Sequence, residues 1–167
     1  RMTTEGDEGM DWIERAERLV EYHVEAAEFV RRVGSQLPNN PGDAESVCLL
    51  WTQADDLDET LCGLFDQMNG RLLNGEGRIE VTRGADVTEG FGSEPELVYQ
   101  CTWTLEWSAQ SSISFVLSIE PRSGAVALAA AAIRSEWTQL RLPLDETQAK
   151  RALGLAYYRA TIGQQSS

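Results

Sequence analysis

Two pairs of carboxylates have the spacing of a metal site on neighbouring helices. Glu25 and Glu28 lie three residues apart in the first predicted helix, and Asp55 and Asp58 repeat that spacing in the second. Residues three apart share one side of a helix. Magnesium prefers carboxylate oxygens and bridges them to phosphate groups. The spacing is therefore compatible with Mg²⁺-dependent phosphohydrolase chemistry.

The pattern Glu25-x-x-Glu28 followed by Asp55-x-x-Asp58 resembles the paired acidic motifs of the all-helical MazG-type nucleotide pyrophosphohydrolases. That family binds Mg²⁺ through Glu-x-x-Glu on one helix and Glu-x-x-Asp on the next, so the resemblance implies a nucleotide phosphohydrolase with these four carboxylates as ligands. It covers only residues 10–70. Asp55 stands where the family has Glu, and the β-rich remainder does not match an all-helical fold.

The helical geometry favours a different role for these acids. At about 100° per residue, five glutamates of the first helix fall on the side opposite its predicted apolar stripe. A catalytic metal site needs carboxylates that converge in a cleft, so we expect no metal and no cofactor. We call these five glutamates the acidic row: Glu14, Glu17, Glu21, Glu25 and Glu28.

Histidine and cysteine offer little further chemistry. His23 is the only histidine, which excludes a site with several histidine ligands, and it falls on the predicted apolar stripe as a partly buried structural residue. Cys101 is expected in the core, whereas Cys48 and Cys62 lie at the flank of the second helix. No nucleophile–base set and no phosphate-binding glycine loop can be assembled, so the sequence favours a protein that is not an enzyme.

The net charge of −13 is concentrated in the first 70 residues, which carry 16 acids and 5 bases. Nucleic acids and anionic membrane surfaces require clustered Lys and Arg, and the sequence has no such cluster. We therefore expect neither a nucleic-acid partner nor a membrane partner. The acidic row is either an ordinary solvated face or a surface for a basic protein partner, and the leading hypothesis takes the second. We also expect the protein to form a homodimer.

The apolar spacing predicts two long helices. The first spans about Trp12–Val33 and ends at Gly34, and the second runs from an Asp43 cap to about Met68, where Asn69-Gly70 ends it. Helical spacing places seven residues on the apolar stripe of the first helix. They are Trp12, Ala16, Leu19, Val20, His23, Ala27 and Val30.

After Gly70 the alternation of apolar and polar residues predicts strands. These are Arg78–Arg83, Glu96–Trp107, a segment through Ile113–Ile119, residues 125–133 and Glu136–Leu142, with a mobile loop over Gly84–Pro95. Alanine favours a helix over residues 125–133, but the preceding hairpin loop and the short length favour a strand. The last helix is capped by Asp145, has a capping box closed by Gln148, and stops at Gly163.

These elements predict an α+β fold with an N-terminal antiparallel helical hairpin, an antiparallel sheet of four to five strands and a C-terminal helix packed on the sheet. We expect one domain over residues 10–163, with the hairpin at 11–70, the sheet at 71–143 and the helix at 145–163. Residues 1–9 and 164–167 are expected to be flexible termini. The sequence shows neither a signal peptide nor a membrane span, and three cysteines make no disulfide framework, so we expect a cytoplasmic protein.

The aromatic residues of the sheet provide a second hypothesis. Tyr99, Trp103 and Trp107 share the apolar face of one strand, and Tyr157 lies on the apolar face of the last helix. Together they could line a pocket for a small apolar ligand. The leading hypothesis remains an acidic interaction module, chaperone-like or regulatory. In size, acidity and mixed α/β character the chain is loosely similar to bacterial secretion chaperones, whose order of helices and strands differs.

Overall fold

The described part of the chain forms two helices, a five-stranded meander and a final helix, in that order. The computed structural model describes residues 12–34, 44–89, 95–108, 110–119, 124–133 and 135–165. The α+β architecture predicted from the sequence is confirmed. The elements are α1 (Trp12–Gly34), α2 (Ala44–Leu72), β1 (Arg78–Glu89), β2 (Pro95–Ser108), β3 (Ser111–Ile119), β4 (Val126–Ala132), β5 (Thr138–Leu140) and α3 (Glu146–Gln165).

The sheet is an antiparallel meander in which each strand pairs with the next one along the chain, in the order β1-β2-β3-β4-β5. Side chains of β3 alternate between buried and half-buried positions along its whole length. The buried face carries Trp103 opposite Phe115, and both side chains are fully enclosed. Because successive residues of a strand point to opposite faces, this alternation gives the sheet one core face and one open face.

The core lies between that sheet face and two of the helices. α2 packs on β2 and β3, while α3 packs on β3 and β4. The buried positions of α2 run the full length of the helix at helical spacing, and its Phe65 packs against Phe115 with 5.7 Å between ring centroids. Residues 125–133, which the sequence left ambiguous, contain strand β4, whose alanines bring α3 close to the sheet.

Several predicted boundaries are wrong in informative ways. The predicted loop over Gly84–Pro95 is strand as far as Glu89, because β1 continues to pair with β2 over its whole length. The predicted strand Glu136–Leu142 shortens to three residues, and α3 continues past Gly163 to Gln165. Gln164 and Gln165, predicted as part of a flexible terminus, are therefore helical. Residues 1–9 and 166–167 of the predicted flexible termini and residues 90–94 of the predicted loop lie outside the described residues.

The end of α2 also differs from the prediction. Asn69 and Gly70 lie inside the helix, and the reversal occurs at Asn74 and Gly75, both with positive φ. The side chain of Asn69 instead clamps the connection to β1: its amide donates to the carbonyl of Gly77 at 3.1 Å, and its carbonyl accepts from the amide of Gly77 at 2.7 Å. Asn69 therefore fixes the connection to β1 and does not mark the end of the helix.

Asp145 caps α3 as predicted, since its carboxylate accepts from the amide of Thr147 at 2.9 Å. Gln148 does not close a capping box within the described contacts. Its side-chain oxygen accepts from the amide of Arg141 at 2.6 Å and so fixes the connection from β5 to α3. Among the described helices, none combines the length and the apolar composition needed to cross a bilayer.

Candidate protein-binding surface

α1 is attached to the molecule by one face that differs from the predicted apolar stripe. Its contacts centre on Tyr22 and Phe29, whose rings pack edge-on against Trp51 of α2 at 6.0 and 5.6 Å between centroids. Phe29 also reaches Tyr99 of β2 at 5.7 Å. Ala26 is fully buried between them, and the half-buried side chains of this face are Leu19, Tyr22, Phe29, Val30 and Val33.

A polar cluster centred on Asp55 fixes α1 against α2 and β1. Its carboxylate accepts a hydrogen bond from the Tyr22 hydroxyl at 2.6 Å, one from Arg83 at 2.6 Å and one from Arg18 at 3.3 Å. The guanidinium of Arg83 also lies over the rings of Tyr22 and Trp51, at 5.2 and 5.6 Å from their centroids. Asp55 is only 21% exposed, so these donors replace most of the water it would otherwise bind.

The cluster favours the neutral form of Tyr22. Burial, and after it the hydrogen bond to Asp55, raises the pKa of Tyr22 above its ordinary value. The hydroxyl therefore remains a donor to higher pH than that of an ordinary tyrosine. Two turns earlier on α1, Arg15 donates to Asp56 at 2.9 Å, but that pair is about half exposed. The thiol of Cys48 donates to the carbonyl of Leu19 at 3.3 Å and adds a third link between the two helices.

The face that α1 turns to solvent carries large apolar side chains. Trp12 is 76% exposed, Ile13 52%, Val20 67% and Val24 62%. At about 100° per residue, Ile13, Val20 and Val24 fall on one side of α1, and we call these three residues the exposed strip. Trp12, Val20, Ala16, His23 and Ala27 belong to the predicted stripe and are all exposed, so that part of the prediction is wrong. In particular, His23 is an exposed residue and not a partly buried structural one.

The reason is that α1 has apolar residues over well more than half of its circumference. Either of two apolar faces could therefore pack against the core, and sequence spacing alone does not distinguish between them. The face with the aromatic residues is buried because Tyr22 and Phe29 meet Trp51, and because Arg15 and Arg18 on that side meet carboxylates of α2. The exposed strip belongs to the other apolar face, which remains in solvent.

The acidic row lies beside the exposed strip. Its five glutamates are all exposed, although five of the seven residues of the predicted stripe opposite them are exposed as well. Glu28 pairs with Arg31 at 2.9 Å. A shallow open depression of about 500 Å³ on this surface is lined by Glu14, Glu17, Arg18, Val20 and Glu21, and so joins the row to the strip.

The four residues of the predicted ligand pocket fall into separate parts of the core. Tyr99 and Trp103 are both buried on the core face of β2. Trp103 donates its indole N–H to Asp58 at 2.9 Å, and Tyr99 packs against Phe29. Trp107 packs instead against Tyr157 of α3, with 6.1 Å between ring centroids. Their contacts are with protein side chains of the core.

The four carboxylates of the predicted metal motif do not share a site. Glu25 and Glu28 lie on the exposed side of α1. Asp55 is occupied by Tyr22 and two arginines, and Asp58 accepts from Trp103 and from the thiol of Cys62. Among the described residues, no group of three or more histidines, cysteines or acids has the arrangement of a metal site.

The three cysteines are free thiols. Cys101 is fully buried, as expected, and burial raises its pKa to about 12. Burial, and after it the neighbouring Asp58, raises the pKa of Cys62 to about 11. Burial also raises the pKa of Cys48. A reactive cysteine needs a lowered pKa, so these environments are those of structural thiols.

Comparison with protein-family models, with curated proteins and with solved structures finds no match to this chain. Its function is therefore argued from its own residues. Sequence reasoning found the acidic row but missed Ile13 and Val24, and it assigned Trp12 and Val20 to the core. The signal that could have revealed them is the second apolar face of α1, which continues beyond the predicted stripe.

Proposed function

We propose that the protein is a non-enzymatic interaction module whose first helix binds a basic amphipathic helix of a partner protein. One observation supports this above the others: the large apolar side chains of Ile13, Val20 and Val24, each more than half exposed, share the side of α1 that borders the acidic row. Contiguous exposed apolar surface marks interaction sites more often than single exposed residues do.

The chemistry of this surface describes the partner. The exposed strip calls for apolar side chains, and the neighbouring glutamates call for Lys or Arg at the edge of the contact. From Ile13 to Val24 the strip extends about 17 Å along the helix, which is about three turns. A helix with one apolar side and a basic border packs against such a surface along its whole length.

The same charges that attract this partner oppose other classes of partner. Phosphate backbones and anionic lipid surfaces are negatively charged like the acidic row, and like charges repel. Neither a nucleic acid nor a membrane therefore fits this surface. A module of this kind acts as a chaperone or a regulator of the protein that carries the basic helix. The free thiols suit a reducing compartment, and we place the protein in the cytoplasm on that ground.

A synthetic helical peptide with a Lys-rich border tests the proposal, with a Glu-rich version of the same peptide as the comparison. Fluorescence anisotropy is expected to show binding of the basic peptide alone. Replacing Val20 and Val24 by Ser is expected to weaken it about tenfold or more, because two apolar contacts are lost. Tyr158→Ser is the matched control, since it removes an exposed side chain from α3. The proposal would be refuted if the wild type bound both peptides equally well, or if the double variant bound the basic peptide as tightly as the wild type does.

A further inference from the structure

β1 forms one edge of the sheet and is the longer of its two edge strands. All twelve of its residues pair with β2 on one side, and no described strand pairs with its other side. At the opposite edge, β5 has three residues. A long edge strand presents a row of unpaired backbone N–H and C=O groups that can pair with a further strand.

One contact shows which backbone groups of β1 face outward. The amide of Val87 donates to the carboxylate of Asp86 at 2.9 Å, so it is directed away from β2. In an antiparallel ladder, alternate residues direct their N–H and C=O groups to the same side. The groups of Ile79, Val81, Arg83 and Ala85 therefore point outward together with those of Val87.

The side chains of this edge are also incompletely covered. Val81 and Val87 are on the core face of the sheet, opposite the buried residues Trp103 and Leu97 of β2. They are nevertheless 45% and 49% exposed, because α2 and α3 cover the strands further in. An additional strand beside β1 would shield both valines from water while it pairs with the backbone.

We propose that this strand is β1 of a second copy of the chain, so that two sheets join into one of ten strands. The two copies are related by a two-fold axis through Gly84, perpendicular to the sheet. In this arrangement Val81 of each copy lies opposite Val87 of the other, and the two exposed valine pairs cover each other. Antiparallel neighbours on one face stabilise a sheet through such side-chain pairs.

The charges of β1 distinguish this register from its neighbours. With the axis at Gly84, Glu80 lies opposite Thr88 and Asp86 lies opposite Thr82, so no like charges oppose each other directly. Moving the axis to Arg83 would set Arg83 against itself and Glu80 against Asp86, which is unfavourable. Moving it to Thr82 would leave Val87 opposite Gly77, without an apolar partner.

A charge-exchange experiment tests both the pairing and its register. Sedimentation equilibrium of the full chain is expected to show a monomer–dimer equilibrium. Val81→Lys and Val87→Asp are each expected to weaken dimerisation about tenfold or more, and the double variant to recover most of that loss, since each Lys then faces an Asp. Val20→Asp on α1 is the control and is expected to dimerise like the wild type.

Several outcomes would overturn the proposal. The wild type could stay monomeric at about 0.5 mM, or it could form a dimer that the β1 variants leave intact. The dimer could be lost in Val20→Asp, or the double variant could fail to recover dimerisation although both single variants are folded. Hydrogen exchange of the wild type needs no variant. The amides of Ile79, Val81, Arg83 and Ala85 are expected to exchange more slowly as the protein concentration rises. Exchange independent of concentration would also overturn the proposal.

Discussion

The guanidinium of Arg83 meets the carboxylate of Asp55 at 2.6 Å and joins the edge strand β1 to helix α2. The same carboxylate accepts the Tyr22 hydroxyl of α1. One residue of α2 therefore fixes both the helix that carries the exposed strip and the strand that forms the sheet edge. This arrangement makes the two surfaces depend on a single polar cluster.

Asp55→Ala is expected to destabilise the protein by about 2 kcal/mol, because Arg83 and Tyr22 would lose a charged partner that is largely buried. Asp56→Ala is the matched control. Asp56 also pairs with an arginine of α1, but both members of that pair are about half exposed, so its loss is expected to cost less than about 1 kcal/mol. Urea denaturation measures both values, and equal losses would contradict the account of the cluster.

The hydroxyl of Tyr22 has a smaller expected effect. Tyr22→Phe keeps the contact of the ring with Trp51 and removes one hydrogen bond to a carboxylate, so it is expected to destabilise the protein by about 1 to 2 kcal/mol. Tyr158→Phe changes an exposed tyrosine of α3 and is expected to stay within about 0.5 kcal/mol of the wild type. If the two variants have the same free energy of unfolding, the bond contributes nothing to stability.

Gly77→Ala and Gly70→Ala are expected to have opposite effects. A Cβ atom at Gly77 would lie 2.8 Å from both the side-chain oxygen of Asn69 and a methyl group of Leu105, so alanine there is expected to cost about 1 to 3 kcal/mol. At Gly70 the space is open and the backbone is helical, so alanine is expected to stabilise by about 0.5 to 1 kcal/mol. Thermal denaturation of both variants checks the signs.

The thiol of Cys62 is expected to ionise at a higher pH than the thiol of an ordinary cysteine. Its rate of alkylation, followed on the Cys62 peptide by mass spectrometry, is expected to keep rising beyond pH 9 and to have its midpoint near pH 11. Asp58→Asn is expected to move this midpoint to lower pH, because it removes a neighbouring negative charge, whereas Asp56→Asn should leave it unchanged. A wild-type profile with its midpoint near pH 9 would contradict this environment.

The raised thiol pKa values also set the direction of a stability change. Above the ordinary thiol pKa of about 9, the unfolded chain loses thiol protons that the folded chain keeps. The folded chain then binds more protons, so the free energy of unfolding is expected to fall as the pH rises from about 9 to 11. Replacing Cys62 and Cys101 by Ala should flatten this decrease, as urea denaturation at several pH values can measure.

The sequence predicted those elements in which a single apolar pattern dominated. In α2, and in β2 around Trp103, one face is apolar and the other polar, so spacing alone identified the buried residues. α1 has two apolar faces, and the choice between them depended on Trp51, Asp55 and Asp56, which lie more than twenty residues away. No local pattern contains that information.

The polar cluster shows the same limit. Asp55, Tyr22 and Arg83 come from three elements, and the one motif that includes Asp55 indicated a metal site rather than this cluster. One signal was available: continuing the alternation of Ile79 and Val81 places Arg83 on the core face of the sheet. A charged residue at such a position needs a buried partner, and Asp55 is that partner. The acidic row, by contrast, was predictable because exposed charge needs no distant contact.

The most direct test of the proposed function measures how salt changes the affinity of the basic amphipathic peptide. For the wild type, the affinity is expected to fall about tenfold between about 0.05 M and 0.5 M NaCl, because salt screens the attraction between the exposed acidic row and the basic peptide. Replacing Glu17, Glu21 and Glu25 by Gln should weaken binding at low salt and flatten this dependence. If the wild type and the triple variant bind with the same affinity and the same salt dependence, the acidic row does not recognise a basic partner.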